Sequence, residues 1–384
     1  MLDLALDITR LLGRALKGKL PTGIDRVGLA YVDHYGPHAR AMLRVGNAPL
    51  VATREASDRL FAQLLDSSAT TARGRFQLLE AASRLMPDAA KSPPRLLLHT
   101  GHGGLERVDF LRRWTSSTGR LLAFVHDLIP LTHPEFSRPG EKEKHAVRMH
   151  SVLRHAEAVV VNSEATRVSL EAFAEREGLP LPRTLVAHLG LADLPGPSPV
   201  RPLPGPYFVM VGTIEARKNH WFILQLWRRM VEEQGKDAPK LIIVGQRGWE
   251  CENVFDLLDR CESLRGVVLE RPTLRDGELA TYVHHAQALL FPSFVEGFGL
   301  PLIEALHARI PAVCSTLQVF RELAGDIPLY IDPLDGPGWR ARIDELAPLG
   351  GALGRELRAR SQGFRAPTWA QHFAKVDRLL GSLS

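Results

Sequence analysis

Residues 289–306, LLFPSFVEGFGLPLIEAL, constrain the fold more than any other stretch of the chain. An apolar run over 288–291 ends at Pro292 and Ser293, as a buried parallel strand would end. Gly297 and Gly299 then loosen the chain, Pro301 sits where a first helical turn favours it, and 303–306 has helix-forming composition. The unit is strand, glycine loop, helix. A helix beginning there leaves N–H groups near Gly299, Leu300 and Leu302 without intrahelical partners, and its dipole adds positive potential. Such a place suits a phosphate.

Two carboxylates flank this point at a spacing of eight: Glu296 in the loop and Glu304, read as lying in the first helical turn. A helical side chain leans toward its own N-terminus, which aims Glu304 back over the loop. Carboxylates accept hydrogen bonds and repel phosphate, so both are expected to hold hydroxyl groups on either side of it. The segment by itself is equally compatible with a glycine turn and a favourable acidic first turn.

A second pattern of this kind opens at 207–211, an apolar strand delivering Gly212-Thr213-Ile214-Glu215-Ala216-Arg217-Lys218-Asn219-His220 and then a helix. Glycine at a strand end, followed by two adjacent cations before a helix, again describes an anion pocket. Two domains are expected from 384 residues, 45% of them hydrophobic. A net charge of +5 suits an anionic ligand or an acidic membrane surface, but 48 basic residues face 43 acidic ones, so most charge is interspersed. No nucleic-acid motif accompanies it. Cys251, Cys261 and Cys314 are few, odd in number and not at zinc spacing, which argues for a reducing compartment. No apolar run approaches the ~20 residues a bilayer requires, and no signal peptide is visible. The reading is a cytoplasmic protein, at most peripheral at a membrane.

Residues 2–8 read as a first strand, and Thr22-Gly23-Ile24-Asp25 starts a helix. Between them Arg10, Arg14, Lys17 and Lys19 interleave with Leu11, Leu12, Leu16 and Leu20. That stretch is a basic loop, a short membrane-touching helix, or a solvated face beside a core stripe. Further strands are read at 95–99, 120–126, 158–161 and 185–188. The first ends in Thr100-Gly101-His102-Gly103-Gly104, where His99 and His102 lack the further ligands a metal needs. His126-Asp127 closes the second, at the carboxyl end of a parallel strand where open α/β sheets bind ligands. Ser163 is a helix cap. Six prolines and two glycines in 195–206 mark a linker.

Beyond it, strands at 207–211, 240–245, 267–272, 288–291, 311–314 and 329–331 alternate with helices, the order of a doubly wound sheet. Residues 367–380 form an amphipathic helix, with Trp369, Phe373, Val376 and Leu380 at helical spacing. The domains are therefore 1–195, a linker at 196–206, 207–365, and a terminal helix at 366–384.

Glu296-Gly297-Phe298-Gly299-Leu300-Pro301-Leu302-Ile303-Glu304 resembles the E-x7-E motif of retaining glycosyltransferases of family four, and 212–220 resembles their GTIEPRKNH segment with Ala216 in place of the frequent proline. That resemblance implies the GT-B fold: two Rossmann-like domains facing a cleft, the terminal helix crossing back to the N-terminal domain. It implies transfer of a sugar from a nucleoside diphosphate sugar to a hydroxyl of a growing bacterial polysaccharide, with retention and without a metal or other cofactor, and the basic amphipathic start is compatible with a lipid-linked acceptor. Within a bacterial polysaccharide subgroup the implied donor is GDP-mannose, with dTDP-rhamnose or a UDP-sugar as alternatives. Arg217 and Lys218 would hold the diphosphate beside Gly212, Gly299 and Leu300. Glu296 would bind donor-sugar hydroxyls, Glu304 the ribose, and His126 would lie beside the donor sugar. Gly23 would approach the donor closely, and the base would lie near Arg247 and 272–274. The rival readings are a nucleotide-sugar epimerase of the same architecture and a non-catalytic sugar-nucleotide-binding protein.

Overall fold

The computed structural model describes residues 3–66, 68–83, 94–116, 119–192 and 195–383. The chain divides into two compact units. The first comprises Met1–Leu131, Gly140–Leu189 and Thr368–Ser384, the second Thr132–Pro139 and Gly190–Pro367.

Among the described residues, the first unit holds a seven-stranded sheet: β1 (Leu4–Asp7), β2 (Ala39–Val45), β3 (Ala48–Val51), β4 (Leu96–His99), β5 (Arg120–Val125), β6 (Ala158–Val161) and β7 (Arg183–Val186). The order is β3-β2-β1-β4-β5-β6-β7, parallel throughout except for the β2–β3 hairpin. Parallel strands are covered on both faces, which is why β4 and β6 are buried from end to end and apolar but for His99. The hairpin has no counterpart in the sequence reading. Arg40 and Arg44 break its apolar run, although Gly46-Asn47 between alternating residues, with Gly46 at φ 62°, is a hairpin turn signal.

The basic stretch after β1 becomes the helix Thr9–Leu16, which buries Leu11, Leu12 and Ala15. Arg10 and Arg14 both pair with Asp25 at 2.8 Å, while Lys17, Lys19 and Leu20 are exposed. The terminal helix Trp369–Ser382 is closed at its start by a reciprocal Thr368–Gln371 capping box and belongs to this unit. It buries Phe373, Val376, Leu379 and Leu380, its Phe373 ring lies 5.2 Å from that of Tyr31, and Tyr35 Oη donates to Asp377 at 2.7 Å.

The second unit holds a six-stranded parallel sheet: β8 (Tyr207–Val211), β9 (Lys240–Val244), β10 (Val268–Arg271), β11 (Leu289–Phe291), β12 (Ala312–Ser315) and β13 (Leu329–Ile331), ordered β10-β9-β8-β11-β12-β13. That is the Rossmann order, and strand direction of travel reverses between β8 and β11. Trp227, Trp339, Phe208 and Ile243 anchor its core. Thr132–Pro139, which a division at 195 assigns to the first domain, packs within the second unit. Phe136 stacks on Phe294 at 5.3 Å and Arg138 lies over Trp249 at 5.0 Å, partners that only folding brings near. The proline-rich segment is fastened as well: Ser198 N–H donates to Thr281 Oγ1 at 2.9 Å, and its carbonyl accepts from His285 at 2.9 Å.

Candidate active site

In open α/β sheets the crevice where strand order reverses is the ligand site, because two neighbouring loops leave it in opposite directions. In the second unit those loops follow β8 and β11. The first runs from Gly212, held at φ 134°, past Gly245, where a Cβ would stand 2.0 Å from the Gly212 carbonyl oxygen. It ends in a short 3-10 turn, Ala216–Lys218, and Asn219 at φ 59° starts the helix His220–Gln234. The two loops are joined through the backbone, Phe294 N–H donating to the Arg217 carbonyl at 2.8 Å.

This joint brings Arg217, Lys218 and Glu296 together. Arg217 Nη1 donates to Glu296 Oε2 at 2.6 Å and to the Val295 carbonyl at 3.2 Å, and its Nε donates to Glu215 at 3.0 Å. Lys218 Nζ donates to the other oxygen, Glu296 Oε1, which also accepts from Ser293 Oγ at 2.8 Å. Lys218 lies over the Phe291 ring at 4.7 Å. Burial alone would raise the Glu296 carboxyl, but Arg217 and Lys218 outweigh it and hold the group at about 2. Burial pushes the Glu215 carboxyl up against the pull of Arg217, and pulls the Lys218 ammonium down against that of Glu296. Glu215 and Ser293 were not singled out in the sequence. Glu215 stands inside the quoted 212–220 segment, so the signal was present, whereas the Ser293 contact needs the fold.

The glycine-capped helix start lies on the same loop as Glu296. Gly299 takes φ 126°, and a Cβ there would meet Phe320 at 2.9 Å, so only glycine fits. The helix is Leu300–His307. Two expectations are corrected here. Leu302 N–H, read as one of the ligand-facing groups, donates to the Gly299 carbonyl at 3.0 Å, which leaves Gly299 and Leu300 at the helix mouth. Glu304 is the fifth helical residue, and the first turn contains no acid, because the helix begins at Leu300, one residue ahead of Pro301. Glu304 is half-buried, one turn inward from the mouth. Arg247, placed near a base by resemblance, grips Asp259 at 2.6 and 2.8 Å and Glu270 at 2.8 and 2.9 Å beside Phe255.

In the first unit the corresponding crevice lies between β1 and β4. Asp7 Oδ2 is 2.8 Å from His99 Nδ1, and a small cavity beside them is lined by Arg10, Gly28, Thr100, Gly101 and Gly103. Neither Asp7 nor His99 was assigned a role from sequence, although both close strands. His126, at the end of β5, is buried: its Nε2 donates to the Thr100 carbonyl at 2.7 Å, which leaves Nδ1 as the lone-pair nitrogen. Its backbone N–H donates to His102 Nε2 at 3.0 Å, and its carbonyl accepts from Asn162 at 2.9 Å. Burial pulls the His126 imidazole down to about 4, against the Thr100 hydrogen bond, and pulls His102 well below the usual range. Gly23 is the exposed first residue of the helix Gly23–Tyr35, capped by Thr22 and Asp25. Ser163 caps Glu164–Arg176, accepting from Thr166 N–H at 3.1 Å.

The stretch of sequence that carries Arg217, Lys218 and Glu296 falls within a family match. Residues 198–328 match the family described as Glycosyl transferases group 1. A serotype-specific mannosyltransferase, WbdA of Escherichia coli, is 32% identical over 246 residues, covering 58% of this chain and 29% of the relative. O-antigen chain mannosyltransferase B of Escherichia coli is 29% identical over 235 residues, covering 58% of this chain and 60% of the relative. The chain thus spans less than a third of the first relative's length and under two thirds of the second's. Among solved structures, Anabaena Alr3699/HepE in complex with UDP and glucose superposes with a TM-score of 0.69 at 15% identity, each chain covered in full. Sucrose-phosphate synthase of Thermosynechococcus elongatus does so at 0.66 and 16%, again over both whole chains. The fold is that of the GT-B glycosyltransferases, two Rossmann-like units.

Proposed function

We propose that this chain transfers a hexose, mannose from GDP-mannose, to a hydroxyl of a growing bacterial polysaccharide with retention at the anomeric carbon. The observation that carries the reading is the convergence of Arg217 and Lys218 on Glu296 at the switch point of the second sheet. The difficult part of such a transfer is charge gathering on the departing diphosphate. Arg217, Lys218 and the helix mouth at Gly299 supply positive potential there from the chain itself, which supports metal-independent transfer. One preorganised donor of this kind is worth roughly 3–4 kcal/mol of barrier. Glu296, ionised down to about pH 2, is a hydrogen-bond acceptor for sugar hydroxyls and not a proton donor. In this reading the diphosphate and Glu296 share the two cations, and the leaving phosphate takes the acceptor proton. The relatives named as mannosyltransferases support mannose as the sugar. Exposed Lys17, Lys19 and Leu20 are the candidate contact with a membrane that carries a lipid-linked acceptor.

A thermal-shift screen of GDP, UDP, dTDP and their sugars tests donor and base together. A ligand at about 100 times its Kd adds roughly 2.7 kcal/mol to the folded state. GDP and GDP-mannose are expected to give the largest shifts, Arg217→Ala to slow turnover, and Glu304→Ala to weaken donor binding. Labelled GDP-mannose without acceptor should yield no free epimer, and transfer should survive a chelator. Wild-type rates in both variants, or no response to any nucleoside diphosphate, would overturn the assignment.

A further inference from the structure

The outer surface of the second unit carries a groove of ≈ 660 Å³, within the roughly 300–1,000 Å³ of known ligand clefts. One wall is the helix His220–Gln234, which presents Trp221, Gln225, Arg228 and Glu232 at helical spacing. The facing wall is the helix Glu252–Arg260, which presents Asn253, Asp256 and Arg260. The opposite stripe of the first helix, Ile223, Leu224, Trp227 and Met230, already supplies the core. The polar stripe of that helix is therefore free to face the groove, whose Leu257 and Cys261 pack against the core. Trp221 is 47% exposed, while Trp114, Trp227 and Trp339 are buried and Trp249 and Trp369 are half-buried. An indole left on a polar stripe and bordering a groove has the amphipathic character of a recognition residue.

The charges of the groove select its occupant. Arg228 Nε donates to Glu232 at 3.1 Å and Arg260 Nη2 pairs with Asp256 at 2.5 Å, so each cation sits beside its own carboxylate. With Glu262 also on the rim, two cations face three acids, and a phosphate, a nucleic acid or an anionic membrane meets no attraction. A neutral polyhydroxylated ligand meets amide donors and acceptors on Gln225 and Asn253, guanidinium N–H donors and carboxylate acceptors in alternation. The C–H face of a sugar ring matches the indole. Trp221 follows Lys218 by three residues, so the groove starts at the same helix end as the candidate active site and runs about 16 Å to Glu232 at the helical rise.

We propose that this groove holds a neutral oligosaccharide, the part of the glycan already built, with a sugar ring on Trp221. The inference rests on the reading that the chain extends a glycan, and its test separates the two. Saturation-transfer NMR and tryptophan fluorescence with linear mannotriose as the probe should show saturable binding to the whole chain, with the indole perturbed. Trp221→Ala should weaken it at least tenfold, and Asp256→Asn or Asn253→Ala, on the facing wall, about threefold. The thermal shift given by GDP should be the same in wild type and all three variants. No saturable binding, equal affinity in wild type and Trp221→Ala, or loss of the GDP response in Trp221→Ala would overturn the proposal. So would sedimentation showing a wild-type dimer that Trp221→Ala dissociates, since the groove would then be an interface between copies. If mannotriose binds through Trp221 but no nucleoside diphosphate binds, the transferase reading falls and the groove assignment stands.

Discussion

The two units share the strand order around their switch points, β3-β2-β1-β4-β5-β6 in the first and β10-β9-β8-β11-β12-β13 in the second, yet their crevices carry different chemistry. The second is built on full charges: two cations, an ionised Glu296, and Glu215 behind them. The crevice of the first unit is built on an Asp7–His99 pair, with the buried imidazoles of His126 and His102 close by in the same unit. Backbone geometry provides a place for a ligand in each unit. The side chains at the strand ends decide whether that place is lined by two cations sharing one carboxylate or by a carboxylate–imidazole pair.

The comparison can be broken most directly at the charges. Glu296→Ala leaves buried Lys218 without the carboxylate it donates to and takes one of two carboxylates from Arg217, which keeps Glu215, and removing one partner of a buried pair costs about 3–5 kcal/mol. Asp7→Asn in the first crevice keeps one acceptor oxygen, for Thr9 N–H, and turns an amide toward His99 and Arg44, which is expected to cost about 1–3 kcal/mol. Urea unfolding of both variants measures the difference. Equal losses would mean that the second crevice holds no special concentration of charge. The Glu296 contribution should also be fully present above about 4.5 and fade as pH falls toward about 2, because its folded pKa lies below the ordinary value.

The first crevice should respond to acid in a different window. His126 titrates at about 4 in the folded chain against an ordinary 6.5, so as pH falls through that interval the unfolded state takes up a proton that the folded state refuses. Stability should drop by about 1.4 kcal/mol per pH unit on this account, and His126→Asn should remove that slope. Unfolding measured from pH 7 to 4 checks it, and identical slopes in variant and wild type would end the claim. An effect no larger than that of Asp7→Asn is expected at the helix mouth. Gly299→Ala combines a left-handed backbone with a clash at Phe320, a strain of about 1–3 kcal/mol, and should weaken nucleotide binding along with stability. A variant as stable as wild type, with the same nucleotide affinity, would show that the close approach at Gly299 is not needed.

Much of this was legible before folding. The strands at 158–161, 207–211 and 329–331 were read at their observed bounds, because each is a short apolar run closed by turn or capping residues. The β2–β3 hairpin escaped because arginines interrupt its alternation, although those side chains reach across from β2 to Asp3 and Asp7. Glu304 was placed in the first turn by counting from Pro301, whereas the helix starts one residue earlier at Leu300, which moves Glu304 to the fifth position. Arg10 and Arg14 read as free basic residues beside a leucine stripe, and only the fold shows Asp25 between them.

The sequence by itself determined the alternation of strands and helices and the family resemblance. It also fixed the glycines at the loop mouths and the residue types of the candidate site, because periodicity, turn chemistry and motif spacing act within a few residues. Which groups meet was decided by tertiary structure. Arg217 and Lys218 stand 79 and 78 residues from Glu296, and one backbone hydrogen bond from Phe294 to Arg217 joins their loops. The protonation states were decided there as well, because burial sets the imidazole of His126 and the cations set the carboxyl of Glu296. Burial and charge proximity are properties of three-dimensional neighbours, which a linear pattern does not record.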